Sequence, residues 1–189
     1  ASATLVSDAG GSQAVVPMFK VDLSNGTASP INVTSLKFNR SGISADADIS
    51  QAYIYDGDTK LADYSSFRES VLTFNSSELL TIPANSVKAI TLKIDLANGT
   101  AAGKTISFGI NAVTDIVSNA SSIGGVFPIT GNSMSTALVT DLGELTVAAL
   151  TNPATPDPGT GVEVMKFTLA STNQKIELKR IVFSNVGTV

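Results

Sequence analysis

Two short acidic patterns are the residues best placed to do chemistry. Asp46-Ala47-Asp48 and Asp56-Gly57-Asp58 each set two carboxylates two residues apart in segments that read as loops. Hard cations prefer such clusters of oxygen, which makes Asp46, Asp48, Asp56 and Asp58 candidate calcium ligands. Each pattern also has a plainer reading. Neither matches an EF-hand loop, Asp-Gly-Asp is what a tight hairpin uses, and Asp48 can cap a turn before Ile49.

Catalytic chemistry has fewer footholds. The 189 residues include no Cys and no His, so a Ser–His or Cys–His nucleophile and an ordinary zinc site are excluded. A carboxylate pair can run glycoside hydrolysis without them. The 16 acidic residues, however, fall mostly in predicted turns and on solvent faces, with no isolated Glu in an apolar strand. The expectation is a non-catalytic chain with no cofactor, calcium apart.

Two other patterns concern glycans. Tyr53 and Tyr55 share one strand face and can stack on a sugar ring, or else form an exposed ladder against a neighbouring strand. Six Asn-x-Ser/Thr sequons occur, at Asn25, Asn32, Asn39, Asn75, Asn98 and Asn119. Asn25 and Asn98 precede Gly in turn-like segments and are the better acceptor candidates, although sequons also arise by chance in a chain this rich in Asn, Ser and Thr.

The net charge of −4 and the scattering of the 12 Lys and Arg leave no cationic footprint for nucleic acid. Apolar runs stay short of a membrane span, and the start lacks a signal-peptide pattern, so Ala1-Ser2-Ala3 reads as a processed start or a cloning boundary. With 43% hydrophobic and only 15% charged residues, the chain is expected to fold. The Ser, Thr, Asn, Ala and Gly richness without Cys, His or Trp points to an extracellular protein.

The elements that must carry these residues are strands. Ile90, Leu92, Ile94 and Leu96 alternate with Thr91, Lys93 and Asp95, the period of a strand buried on one face. Tyr53-Ile54-Tyr55 runs into Asp56-Gly57-Asp58-Thr59, a hairpin in which Gly accepts a positive φ. Further strands are expected near 3–6, 14–23, 31–39, 71–74, 79–82, 105–110, 126–130 and 135–139. Short strands at this spacing predict an antiparallel β-sandwich.

An internal repeat organises the whole chain. Ile31, Val33, Leu36 and Phe38 recur 145 residues on as Ile176, Leu178, Ile181 and Phe183, and Gly42 recurs as Gly187. Both copies switch face between the second and third apolar residue, which predicts a bulge or bend there. Val16, Phe19 and Val21 recur 148 residues on as Val164, Phe167 and Leu169, and Val6 recurs 141 residues on as Val147. Gaps confined to loops, including the longer connection at 151–159, are what duplicated domains show. The expected organisation is a β-sandwich over 1–141 and the start of a second, incomplete repeat over 142–189, with strands near 144–149, 161–170 and 175–184.

The order Gly-Val-Glu-Val-Met-Lys-Phe, Ile-Glu-Leu-Lys-Arg-Ile-Val-Phe and Ala-Asp-Ile-Ser-Gln-Ala-Tyr-Ile-Tyr-Asp-Gly, followed by Leu80-Thr81-Ile82-Pro83-Ala84-Asn85-Ser86 and Phe127-Pro128-Ile129-Thr130-Gly131-Asn132-Ser133-Met134, resembles the tandem immunoglobulin-like repeats of large prokaryotic cell-surface and surface-layer-type proteins. The resemblance spans nearly the whole chain but rests on turns and core positions, so it carries over no catalytic or binding residue. It implies an immunoglobulin-like fold, an extracellular location and a structural role in spacing or assembly. Neighbouring copies, adjacent repeats and cell-envelope glycans are the partners it implies. An adhesive or filament-forming subunit assembling by strand exchange, and an accessory domain of a secreted hydrolase, are the alternatives.

Overall fold

The computed structural model describes residues 4–64, 67–151, 159–178 and 181–183. The chain separates into two compact units, Ala1–Thr140 and Asp141–Val189. Ala1-Ser2-Ala3, Gly187 and most of the 151–159 connection lie outside the described residues.

The first unit is a β-sandwich with eleven strands among its described residues: β1 (Thr4–Ser7), β2 (Val16–Asn25), β3 (Ile31–Ser41), β4 (Ile49–Asp56), β5 (Thr59–Tyr64), β6 (Val71–Ile82), β7 (Ser86–Leu96), β8 (Thr105–Ile110), β9 (Ile116–Ser118), β10 (Ile129–Thr130) and β11 (Met134–Leu138). One sheet runs β1-β11-β8-β3-β6, with β10 beside β8 and β9 beside β3, and the other runs β2-β7-β4-β5. All pairings are antiparallel except β1 with β11. The alternation on β7 does what its period predicts, with Ile90, Leu92, Ile94 and Leu96 all fully buried. They meet Val33, Leu36, Phe38, Leu72, Phe74, Ile106 and Phe108 from the facing sheet in one core. Phe38 is its pivot, edge-on to Phe19 of β2 at 5.9 Å and to Phe74 of β6 at 6.0 Å.

The expected break in β3 is present: its register shifts between Val33 and Ser35 against both β6 and β9. On β6 the partners of those residues are Leu80 and Asn75, so residues 76–79 bow out opposite Thr34. The runs expected at 71–74 and 79–82 are therefore the two paired stretches of one strand. In the β4–β5 hairpin Asp56 pairs Thr59, leaving Gly57-Asp58 as a two-residue loop with Gly57 at φ +57°.

Three details differ from expectation. β10 begins only after Pro128, which has no amide hydrogen for a ladder. β9 was not anticipated, because three residues are too few to display a period. On β1 the buried residues are Leu5 and Ser7, while Val6 is only partly covered.

The second unit contains a single antiparallel pair, β12 (Glu144–Ala149) with β13 (Phe167–Thr172), among the described residues. β13 lies several residues later than the 161–170 expected. The described parts of 175–184 form no strand. In the first unit the corresponding β3 is laddered on both sides, and among the described residues no equivalent neighbours flank this segment within its own unit. No helix among the described residues is long and apolar enough to cross a membrane.

Candidate functional site

The acidic residues are the place to start. Arg40 stands one residue before the end of β3, its side chain buried where the chain turns toward a short 3-10 turn, Asp46–Asp48. Its guanidinium donates to Asp46 Oδ1 from Nε at 3.2 Å and Nη2 at 2.8 Å, to the Ser44 carbonyl at 2.6 Å, and to Ser70 Oγ at 2.8 Å. The Ser70 amide donates to the other Asp46 oxygen at 3.2 Å. Burial raises the Asp46 carboxyl's pKa, but the bonds from Arg40 and Ser70 and the Arg40 charge outweigh it and hold it below the ordinary value. Asp48 accepts from the Ala45 amide at 2.7 Å and from Lys104 Nζ at 2.5 Å. Asp56 is paired with Lys88.

These contacts tie the β3–β4 connection to the starts of β6 and β8, which is structural work. Asp48 and Asp56 also stand at opposite ends of β4, roughly 25 Å apart at ~3.3 Å per residue, so the two acidic patterns cannot share an ion. Asp58 sits exposed in the hairpin loop. Among the described residues no group of three or more potential ligands gathers. Millimolar calcium is therefore expected to leave the thermal midpoint unchanged, with chelator equally silent. A midpoint that rises with calcium would reinstate the four aspartates as ligands.

The tyrosines do not form an open platform. Tyr53 and Tyr55 lie half-buried on the outer face of β4 with ring centroids 6.4 Å apart at 65°. Lys93 Nζ covers the Tyr55 ring at 3.9 Å, and Lys60 approaches the Tyr53 ring at 5.8 Å. Tyr53 Oη donates to Asp95 Oδ2 at 2.5 Å, and burial together with that bond raises its pKa well above the ordinary value. A sugar would have to displace a lysine to stack here.

The two glycan candidates occupy opposite environments. Asn98 is exposed, its amide donating to the Gly10 carbonyl at 3.0 Å. Asn25 is buried. Its Nδ2 donates to the carbonyls of Ser29, Ile82 and Pro83 at 2.8, 3.2 and 3.0 Å, and its Oδ1 accepts from the Thr27 amide and hydroxyl. A glycan on that nitrogen would have to break the first set, which joins the β2–β3 turn to the β6–β7 turn. Asn25→Ala is expected to destabilise by about 2–3 kcal/mol, measured by denaturant unfolding, because it strands buried carbonyls and an amide. A change below about 0.5 kcal/mol would show the turns close without it.

Two features escaped the sequence. Asp115, in the turn between β8 and β9, is buried and accepts from Asn39 Nδ2 and the Asn111 and Ala112 amides at 2.9–3.1 Å, with Lys37 at 3.2 Å. Burial raises its pKa, but the two amides and Lys37 prevail and hold the carboxyl below its usual 3.8. A depressed native pKa stabilises above the unfolded value and ceases to do so as pH falls through the native one. Asp115→Asn should therefore cost about 1–3 kcal/mol at neutral pH, and the gap to the parent should close below the ordinary carboxylate range. A gap that persists in acid would mean that charge is not the cause.

The second is a cleft of about 240 Å³ in the first unit, between edge strand β2 and strands β3 and β9. It is lined by Val21, Leu23, Ile31, Ile82, Ile123 and Phe127 among others, with Asp22 and serines at the margin. Its walls come from segments about a hundred residues apart, so only the fold assembles it.

The first unit is thus a two-sheet β-sandwich whose polar clusters are satisfied internally. No family model matches the chain, and no curated protein matches it significantly.

Proposed function

We propose that this chain is a non-catalytic structural module of an extracellular cell-surface or surface-layer-type protein, spacing or assembling its neighbours through β-sandwich contacts. One observation carries the reading: the two aromatic positions that recur in the sequence are in ring contact in each unit. Phe19 and Phe38 meet at 5.9 Å in the first unit, and their repeat counterparts Phe167 and Phe183 meet at 5.9 Å in the second. An aromatic contact that recurs at repeated positions suits a repetitive architecture of successive related modules. The acidic clusters support the same view, since Asp46, Asp48 and Asp56 are engaged by cationic side chains that hold connections in place.

The test is location on intact cells of the source organism. Antibody against the chain should label unpermeabilised cells, and external protease should remove the epitope without lysis. Labelling only after permeabilisation would reject the surface reading.

A further inference from the structure

The second unit exposes what the first unit buries. Phe38, Leu36 and Val33 are at most 2% exposed, whereas Phe183, Ile181 and Leu178 are 61%, 46% and 50% exposed. None of the described residues of 141–189 is buried. The β12–β13 pair is nonetheless patterned for burial. Val147 opposes Leu169, Ala149 opposes Phe167 and Leu145 opposes Ser171 on one face, while Glu144, Thr146, Ala148, Thr168, Ala170 and Thr172 alternate onto the other. A soluble surface gains nothing from such a face unless something covers it.

The repeat says what the cover is. In the first unit the counterparts of β12 and β13 do not pair with each other. β1 takes β11 as its neighbour in one sheet, and β2 takes β7 in the other. Likewise the Phe19–Phe38 pair is closed by Phe74 of β6, and the Phe167–Phe183 pair has no such third ring among the described residues. The second unit therefore holds the first three segments of the pattern, and its described residues lack the neighbours that the same segments have in the first. β12 and β13 satisfy their backbones on one another instead.

We infer that the apolar face of β12 and β13 is a receiving surface for strands of the β4–β11 kind from this same repeat, and that their arrival parts β12 from β13 into opposite sheets. The inference deepens the structural-module reading and rests on its repeat, not on its cellular location. Its failure and a failed surface-labelling experiment are therefore separate results.

The repeat also sets the experiment. At the displacement of 145, Val189 is the counterpart of Ser44, so a second copy of residues 45–140 can be joined after Val189 in register. The chain has no native Cys, which lets Val147→Cys with Leu169→Cys report the β12–β13 pairing. Directly opposed antiparallel residues lie ~4.5–5.5 Å apart at Cα, within disulfide reach. In the parent chain this pair should oxidise readily, and the chain should bind a hydrophobic dye. In the extended chain cross-linking should slow at least tenfold, dye binding should fall to that of a folded sandwich, and amides of 144–149 and 167–172 should gain exchange protection. Unchanged cross-linking and dye binding after extension would overturn the inference. So would a parent chain that dimerises with loss of dye binding, since a second identical face would then be the cover.

Discussion

Phe38→Ala is expected to cost the first unit about 3–5 kcal/mol. The side chain is fully buried and touches a ring from each sheet, Phe19 from β2 and Phe74 from β6. Truncation leaves a cavity bounded by two β-layers, neither of which can close on it without sliding its ladder. Tyrosine fluorescence during denaturant unfolding reads this unit alone, because Tyr53, Tyr55 and Tyr64 are the only tyrosines and no Trp is present. The paired variant sharpens the result. Phe183→Ala removes the repeat counterpart, 61% exposed, and should change the same transition by less than about 0.5 kcal/mol. Similar costs at the two positions would mean that the tyrosine signal does not read the first unit alone.

Gly42→Ala should destabilise by about 3 kcal/mol or more. Gly42 follows β3 at φ +101°, a region that an L-residue enters only with strain of about 1–3 kcal/mol. The larger obstacle is steric. A Cβ there would lie 2.3 Å from the Thr105 carbonyl oxygen and 2.8 Å from its carbon, so the start of β8 must move. Gly103→Ala isolates the conformational part, since Gly103 has φ +80° but a Cβ added there would meet nothing within 4 Å. It should cost about 1 kcal/mol in the same assay. Equal losses at both sites would show that β8 yields freely and the contact is harmless.

How far the chain could be read before folding depended on how local each signal was. The β7 alternation and the hairpin at 56–59 are each written in a handful of adjacent residues, and both formed as expected. The β3 bulge was legible for a related reason: a hydrophobic period that changes phase between Val33 and Leu36 has to be accommodated by the backbone. The bow in β6 was not, since Asn75-Ser76-Ser77-Glu78 reads as a loop and becomes strand only because β3 bulges opposite it. The acidic patterns were visible as residues but not as partners. Nothing near Asp46 announces that Arg40 is buried against it, and nothing near Asp48 announces Lys104, which is brought in from β8's approach. Asp115 and the cleft walls were missed for the same cause, being products of tertiary placement rather than of spacing.

The parallel pairing of β1 with β11 has a mechanical consequence. Thr4 lies against Ser135 and Ser7 against Leu138, so the chain enters the first sandwich at one end of this pair and leaves at the other. Tension between the residues before Thr4 and those after Leu138 acts along the strand axes, in shear. The bonds of the ladder, and the Val139 amide bound to the Ser7 carbonyl at 2.8 Å, are then loaded together rather than opened one at a time. Force must break the whole patch at once, while a hairpin such as β4–β5, pulled open from its free ends, would unzip pair by pair.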